Sequence, residues 1–196
     1  MTKVVLATHN PHKVVELQRI LGDAPIELLS GQDLALPRVE ETGDTFAENA
    51  LLKASACARA TGLPAVADDS GLVVDALGGE PGVRSARYAG DDGDDDANLR
   101  LVLERLGDAT ERTARFVCVA ALVTPDGRQL TEPGVMEGSL TSAPRGDGGF
   151  GYDPIFVPTG EYRTNAELAP AEKDAISHRG AAFRALRPHL VALTSR

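Results

Sequence analysis

KVVLATHNPHKVVELQRILG, residues 3–22, decides the fold. Residues 3–8 form a short β-rich run that reads as a buried strand. Thr8-His9-Asn10 ends that run, and Pro11 stands where a first helical turn tolerates its missing N–H. Val14, Val15, Leu17, Ile20 and Leu21 then recur at helical spacing, and Gly22 stops the helix. Strand, tight loop and helix in succession make the repeating unit of an α/β protein.

Outward from that unit the pattern continues. Residues 26–36 read as a strand and a loop, interrupted by Gly31 and closed by Pro37. Thr45-x-x-Glu48 is a capping box, and residues 46–61 are helix formers free of Pro and Gly until Gly62 and Pro64 end them. Asn49 and Lys53 share a face of that helix. Residues 65–69 read as a strand ending in Asp68-Asp69-Ser70-Gly71, with extended chain resuming over 72–75. Residues 76–96 read as a long loop rich in Gly and Asp with a short turn, followed by the helical pattern Leu99, Val102, Leu103 and Leu106. The acidic run Asp91-Asp92-x-Asp94-Asp95-Asp96 suits a helix dipole; a calcium loop is the other reading, but EF-hand spacing is missing. Residues 113–124 and 128–140 predict a hairpin across Pro125-Asp126-Gly127. A glycine loop at 146–151 and a strand at 154–158 follow. Thr164-x-x-Glu167 is a further cap, and Ser177 caps a last helix from His178 to about Leu193. This mixture predicts one α/β domain with a mixed sheet over residues 1–196, in one body or two lobes.

Net charge is −9 and the sequence pI is near 4.9, which disfavours an extended nucleic-acid backbone as partner. A single nucleotide needs only a few placed cations. Only four lysines occur, Lys3, Lys13, Lys53 and Lys173, and three of them fall in the motifs below. Cys57 and Cys118 lack any motif and read as reduced buried thiols. No apolar run approaches the ~18 residues of a membrane helix. The opening apolar stretch is too short for a signal peptide, so a cytoplasmic location is expected.

Five constellations carry possible chemistry. Thr8-His9-Asn10-Pro11-His12-Lys13 sits at a strand-to-helix junction, where N–H groups and dipole favour an anion; an ordinary βα turn with a solvated lysine is the alternative. Asp68-Asp69-Ser70-Gly71 places two acids at the end of a buried strand, a costly arrangement unless a cation or several donors meet them; an Asp-rich turn is the alternative. Glu40-Glu41-Thr42-Gly43 precedes the capping box and matters if its acids join Asp68 and Asp69 at one hard cation. Gly148-Gly149-Phe150-Gly151-Tyr152-Asp153 holds two of only eight aromatic residues, suited either to stacking on a base or to plugging the core. Asp153 there is placed to read donors on a base edge. Lys173 with Ser177-His178-Arg179 supplies donors for a base edge, or else a solvated helix start. No Ser-His-Asp triad and no zinc spacing can be placed.

Six segments together resemble one family, the inosine/xanthosine triphosphate pyrophosphatases, the RdgB-like non-canonical purine NTP pyrophosphatases. They are LATHNPHK at 6–13, EETGDTFAENALLKA at 40–54, ADDSGL at 67–72, PGVRSARYAG at 81–90, GGFGYDPIF at 148–156 and EKDAISHRG at 172–180. Their order and spacing follow the family over nearly the whole chain. The resemblance implies an elongated central mixed β-sheet flanked by helices, with two lobes, a nucleotide cleft between them and a homodimer. It implies that Thr8, Asn10, Lys13 and Lys53 hold the triphosphate. Asp69 is implied as proton acceptor and metal ligand, with Glu41 and Asp68 beside it on Mg²⁺. The resemblance further implies that Ser70 touches substrate and that Phe150 stacks on the purine, with Gly151, Tyr152 and Asp153 completing that loop. It likewise implies that Lys173, His178 and Arg179 complete the base pocket. His9, within the first segment beside Pro11 and His12, stands where many members have glycine or another residue.

The reaction so implied is attack of water on the α-phosphorus, with pyrophosphate leaving and Asp69 aligning the water. A donor to the 6-oxygen, Lys173 or Arg179, favours hypoxanthine and xanthine over adenine. Two rivals stand beside it: a Maf-like pyrophosphatase with other base preferences, and a module that binds purine nucleotides without cleaving them.

Overall fold

The structure, a computed structural model, describes residues 1–31, 33–90 and 93–195. Its strands are β1 (Thr2–Leu6), β2 (Ile26–Leu29), β3 (Ala65–Val74), β4 (Thr113–Val123), β5 (Gln129–Leu140) and β6 (Phe156–Pro158). They form one sheet in the order β2-β1-β3-β4-β5-β6. β1 is parallel to β2 and β3, while β5 and β6 are antiparallel, so the sheet is mixed as predicted. The helices are α1 (Pro11–Leu21), α2 (Phe46–Thr61), α3 (Asp95–Leu106), α4 (Pro170–Ile176) and α5 (His178–Ala192). Among the described residues no helix is long and apolar enough to cross a membrane.

The chain divides into two compact units, one of residues 1–69, 118–134 and 179–196, the other of 70–117 and 135–178. It passes from one to the other inside β3, β4 and β5 and again at the His178–Arg179 peptide.

In the first unit, strand alternation sorts side chains onto two apolar faces. Val4 and Leu6 of β1, Val66 of β3 and Cys118, Ala120 and Leu122 of β4 join Leu17 and Leu21 of α1 and Phe183, Leu186 and Leu190 of α5. The alternate residues Val5, Ala65, Ala67, Ala121 and Val123 join Ala50, Ala54, Cys57 and Ala58 of α2 in a separate core. Both helices start as their sequences dictate. Asn10 caps α1, its Oδ1 accepting from the His12 N–H at 2.9 Å and the Lys13 N–H at 3.4 Å. The Thr45–Glu48 capping box opens α2, and Gly62 closes it at φ 66°, a left-handed conformation glycine adopts freely.

The second unit has its own core, including Leu72 and Val74 of β3, Phe116 of β4, Leu99 and Val102 of α3 and Phe156 of β6. Phe116 and Phe156 pack tilted, with ring centroids 4.7 Å apart. Asp94 caps α3, its Oδ1 accepting the Ala97 N–H at 3.0 Å, the dipole reading of the acidic run. Asp91 and Asp92 lie outside the described residues.

One sequence expectation is corrected and two are refined. β3 does not end at Asp69; it runs through Gly71 to Val74, because each aspartate finds donors on its own side and no turn is needed. The loop at 76–96 contains 3-10 turns at Asp75–Leu77 and Gly82–Arg87. Of the two readings of the Lys173 segment, the solvated one does not hold for Lys173, which is 5% exposed within α4, a helix that Pro170 opens and Ser177 closes.

Candidate active site

Alternation in β3 places the two aspartates. Val66 belongs to the α1/α5 core and Ala67 to the α2 core, so Asp68 follows Val66 and Asp69 follows Ala67. The hydrogen bonds agree. Asp68 Oδ2 accepts from Lys13 Nζ of α1 at 2.9 Å and from Arg179 Nη2 of α5 at 3.2 Å. Asp69 Oδ1 accepts from Lys53 Nζ of α2 at 3.1 Å, and Asp69 Oδ2 from Asn49 Nδ2 at 3.3 Å.

Lys53 joins a second acid. Its Nζ lies 2.7 Å from Glu41 Oε1, so Glu41 and Asp69 converge on a single ammonium. Gly43, two residues beyond Glu41, is tied to α2 by Asn49, whose Oδ1 accepts the Gly43 N–H at 2.8 Å. A Cβ on Gly43 would meet Asn49 Oδ1 at 2.8 Å, so glycine permits this close approach. Burial pushes the Asp69 carboxyl above its usual range; Glu41 adds to this and Lys53 opposes it. For Lys53, burial works against the ammonium, but Asp69, Asp68 and Glu41 outweigh it and raise its pKa.

Arg179 is the cation of the other cluster. Its Nη1 donates to Glu16 Oε2 at 2.6 Å and its Nε to Asp68 Oδ2 at 3.3 Å. Burial disfavours its charge, yet Asp68 and Glu16 prevail and raise its pKa above the ordinary arginine value. Two carboxylates and two cations, Asp68, Glu16, Arg179 and Lys13, therefore form one charged chain at the starts of α1 and α5. Cys118 Sγ approaches Asp68 Oδ2 at 4.0 Å.

The remaining first-segment residues shape the β1–α1 turn. Thr8 Oγ1 accepts the Asn10 N–H at 3.2 Å, His9 Nε2 lies 3.2 Å from the Pro37 carbonyl oxygen, and Pro11 and His12 are exposed in the first turn of α1.

In the second unit Asp153 is the organiser. Its Oδ2 accepts from Lys173 Nζ at 2.5 Å and from the Phe150 N–H at 2.9 Å. Lys173 Nζ also stands 5.1 Å from the Phe150 ring centroid. Gly151 adopts φ 61° and donates its N–H to Asp95 Oδ2 at 2.9 Å. Tyr152 is buried, and its hydroxyl donates to the Ser85 carbonyl at 2.7 Å; burial raises its pKa. So of the loop's two rings, Tyr152 plugs the core and Phe150 stays partly exposed. His178 stacks on Phe116 with centroids 4.7 Å apart and planes 9° apart. Ser70, partly exposed, is the first residue of this unit.

The structure thus gathers Lys13, Asp68 and Arg179 in one cluster, Glu41, Lys53 and Asp69 in another, and Phe150, Asp153 and Lys173 in a third. Sequence reasoning gave no role to Glu16, although an acid next to Leu17 in the apolar stripe of α1 is a signal. It also passed over Asn165, whose Nδ2 donates to Asp153 Oδ1 at 3.1 Å; no sequence pattern marks that residue.

The comparisons with known proteins agree with one another. The model of the Ham1 family matches residues 4–189. A Streptomyces coelicolor protein named dITP/XTP pyrophosphatase is 58% identical over 193 residues, covering 96% of each chain. A solved HAM1 protein of Coxiella burnetii superposes with a TM-score of 0.89 at 46% identity, covering 98% of this chain and all of that one. A solved nucleoside-triphosphatase / dITP/XTP pyrophosphatase of Mycobacterium abscessus superposes with a TM-score of 0.76 at 51% identity, covering 95% of this chain and all of that one.

Proposed function

This chain belongs to the Ham1 family, and we propose from that premise that it hydrolyses non-canonical purine nucleoside triphosphates, ITP and dITP or XTP and dXTP. The products are the nucleoside monophosphate and pyrophosphate, and the activity clears deaminated purines from the nucleotide pool. The observation that carries the reading is the division of β3: Asp69 turns to Lys53 and Glu41, while Asp68 turns to Lys13 and Arg179. Two adjacent residues within β3 thereby offer both an acid cluster and cations suited to phosphate.

Water attacks the α-phosphorus, and the bond to the pyrophosphate oxygen breaks. Such chemistry needs positioning and charge neutralisation rather than a covalent intermediate. Lys13 and Lys53 supply the cations, and Thr8 and Asn10 fix the turn by accepting its N–H groups, at the positive end of the α1 dipole. Asp69, with its raised pKa, accepts the proton of the attacking water.

Magnesium fits the donor set. Glu41 and Asp69 are hard oxygen ligands already converging on one positive charge, that of Lys53 Nζ. The magnesium ion takes one or two carboxylates and completes its shell with phosphate and water. When bound, magnesium neutralises phosphate charge and stabilises the leaving pyrophosphate. Asp68 supports this arrangement from the other face, by holding Lys13 and Arg179.

Base choice rests with Phe150 and Lys173. The ring stacks on the purine, and an ammonium donor beside it favours a 6-oxo over a 6-amino base, which would leave that donor opposed by another donor. A homodimer and a cytoplasmic location complete the proposal, on the strength of the family resemblance.

The test is pyrophosphate release from ITP, XTP, ATP, GTP, dTTP and UTP, with and without Mg²⁺. Release from ITP and XTP that needs Mg²⁺ and exceeds the others is expected. Preference for dTTP or UTP would support the Maf-like reading instead, and binding without release would reduce the chain to a nucleotide-binding module.

A further inference from the structure

We infer that Asn165 is a positioning residue that sets base selectivity by locking the Asp153 carboxylate; the inference rests on the pyrophosphatase reading above. Asp153 is 3% exposed, and its two oxygens divide their work. Oδ2 accepts from Lys173 Nζ at 2.5 Å and from the Phe150 N–H at 2.9 Å, so one atom fixes both the donor and the backbone of the stacking ring. Oδ1 accepts from Asn165 Nδ2 at 3.1 Å. A carboxylate only accepts, so the orientation of the Asn165 amide follows. Rotation of Asp153 away from Lys173 and Phe150 would strand the Asn165 donor in a buried site.

Asn165 is itself held. It is 1% exposed, at the start of the 3-10 turn Asn165–Glu167. The preceding Thr164 donates its N–H to Glu167 Oε2 at 2.7 Å and its hydroxyl to the Arg145 carbonyl at 2.7 Å. The Gly148 N–H donates to the Ala166 carbonyl at 3.0 Å, stitching the turn to the glycine loop that carries Phe150. The other end of the amide, Oδ1, has no hydrogen-bond partner among the described residues. An apolar residue would avoid that unfavourable burial, so what the amide contributes here is its Nδ2 donor.

The experiment compares kcat and KM for ITP and for ATP in the full chain, in Asn165→Ala and in the isosteric Asn165→Asp, which replaces the donor with an acceptor. Both variants are expected to raise KM for ITP roughly tenfold, the scale of one lost hydrogen bond to a charged group, with less effect on ATP. The ITP:ATP ratio of kcat/KM then narrows. A ratio within about twofold of the parent in both variants, or an equal loss of kcat on both nucleotides, overturns the inference. Loss of folding in both, seen by circular dichroism, would assign Asn165 to the fold and overturn it too. If the unaltered chain releases no pyrophosphate from ITP, the pyrophosphatase reading fails and takes this one with it; normal release by parent and variants alike defeats this one alone.

Discussion

Asp68 and Asp69, adjacent in β3, turn their carboxylates to opposite sides of the strand: Asp68 Oδ2 meets Lys13 Nζ at 2.9 Å and Asp69 Oδ1 meets Lys53 Nζ at 3.1 Å. A period of two makes this unavoidable for neighbours in a strand. The consequence is a separation of duties. One acid faces α2 and Glu41; the other pins the cations of α1 and α5. The variants at these two positions should therefore fail differently.

Replacing Asp69 with Asn keeps the shape and removes the proton acceptor. Turnover of ITP should fall by ~10²–10⁴ while KM changes little, since a general base contributes on that scale. Steady-state kinetics with ITP check this, and near-normal kcat would remove Asp69 from the role.

The cluster around Arg179 is structural in its energetics. Arg179→Met leaves Glu16 and Asp68 buried without their shared partner, which typically costs about 3–5 kcal/mol. Chemical denaturation should show that loss with an unchanged m-value. A loss below about 1 kcal/mol, the scale of an exposed ion pair, would show that the cluster is solvated in solution.

Magnesium binding should weaken as pH falls. The Asp69 carboxyl is held above its usual range by burial, so it retains its proton to higher pH than an exposed aspartate and must release it to ligate a cation. The same raised value means that its part in folding stability is present below the ordinary carboxylate range and is lost as pH rises through the folded pKa. Calorimetric titration with Mg²⁺ at pH 5 and pH 8, in buffers of different ionisation enthalpy, should show weaker binding and greater proton release at the lower pH. Equal affinities would place Asp69 outside the metal site.

Two glycines with similar φ should respond unequally to alanine. Gly62, at φ 66°, has nothing within 4 Å of an added Cβ, so Gly62→Ala should cost only the left-handed strain, about 1 kcal/mol. At Gly149, φ 70°, the added Cβ overlaps Asp153 Oδ2, the atom that holds Lys173 and Phe150. Gly149→Ala should therefore raise KM for ITP well beyond any change in thermal stability, and Gly62→Ala should leave KM alone. Parallel KM measurements and melting curves decide it.

Much of this was legible in the chain. The strand-loop-helix of residues 3–22, the Thr45–Glu48 capping box, the stop at Gly62 and the hairpin across residues 125–127 all depend on local chemistry, and each stands where it was read. Lys13, Lys53, Lys173 and Phe150 are legible because scarce residue types fall within motifs, and Asp69 because two adjacent acids follow a buried apolar run. Other features were not legible. Asp68-Asp69-Ser70-Gly71 looks like a turn until Lys13, Lys53 and Arg179 arrive from distant segments to satisfy the acids within a strand. Lys173 looks solvated until Asp153 buries with it.

The sequence by itself determined the ends of α1 and α2 and the turn at residues 125–127, because capping, glycine freedom and apolar period are set by near neighbours. It also determined the family, through six short segments in register. Only the tertiary structure decided which acid partners which cation. Those partners lie far apart along the chain, and a buried charge is stable only where folding brings its counter-charge within hydrogen-bond reach.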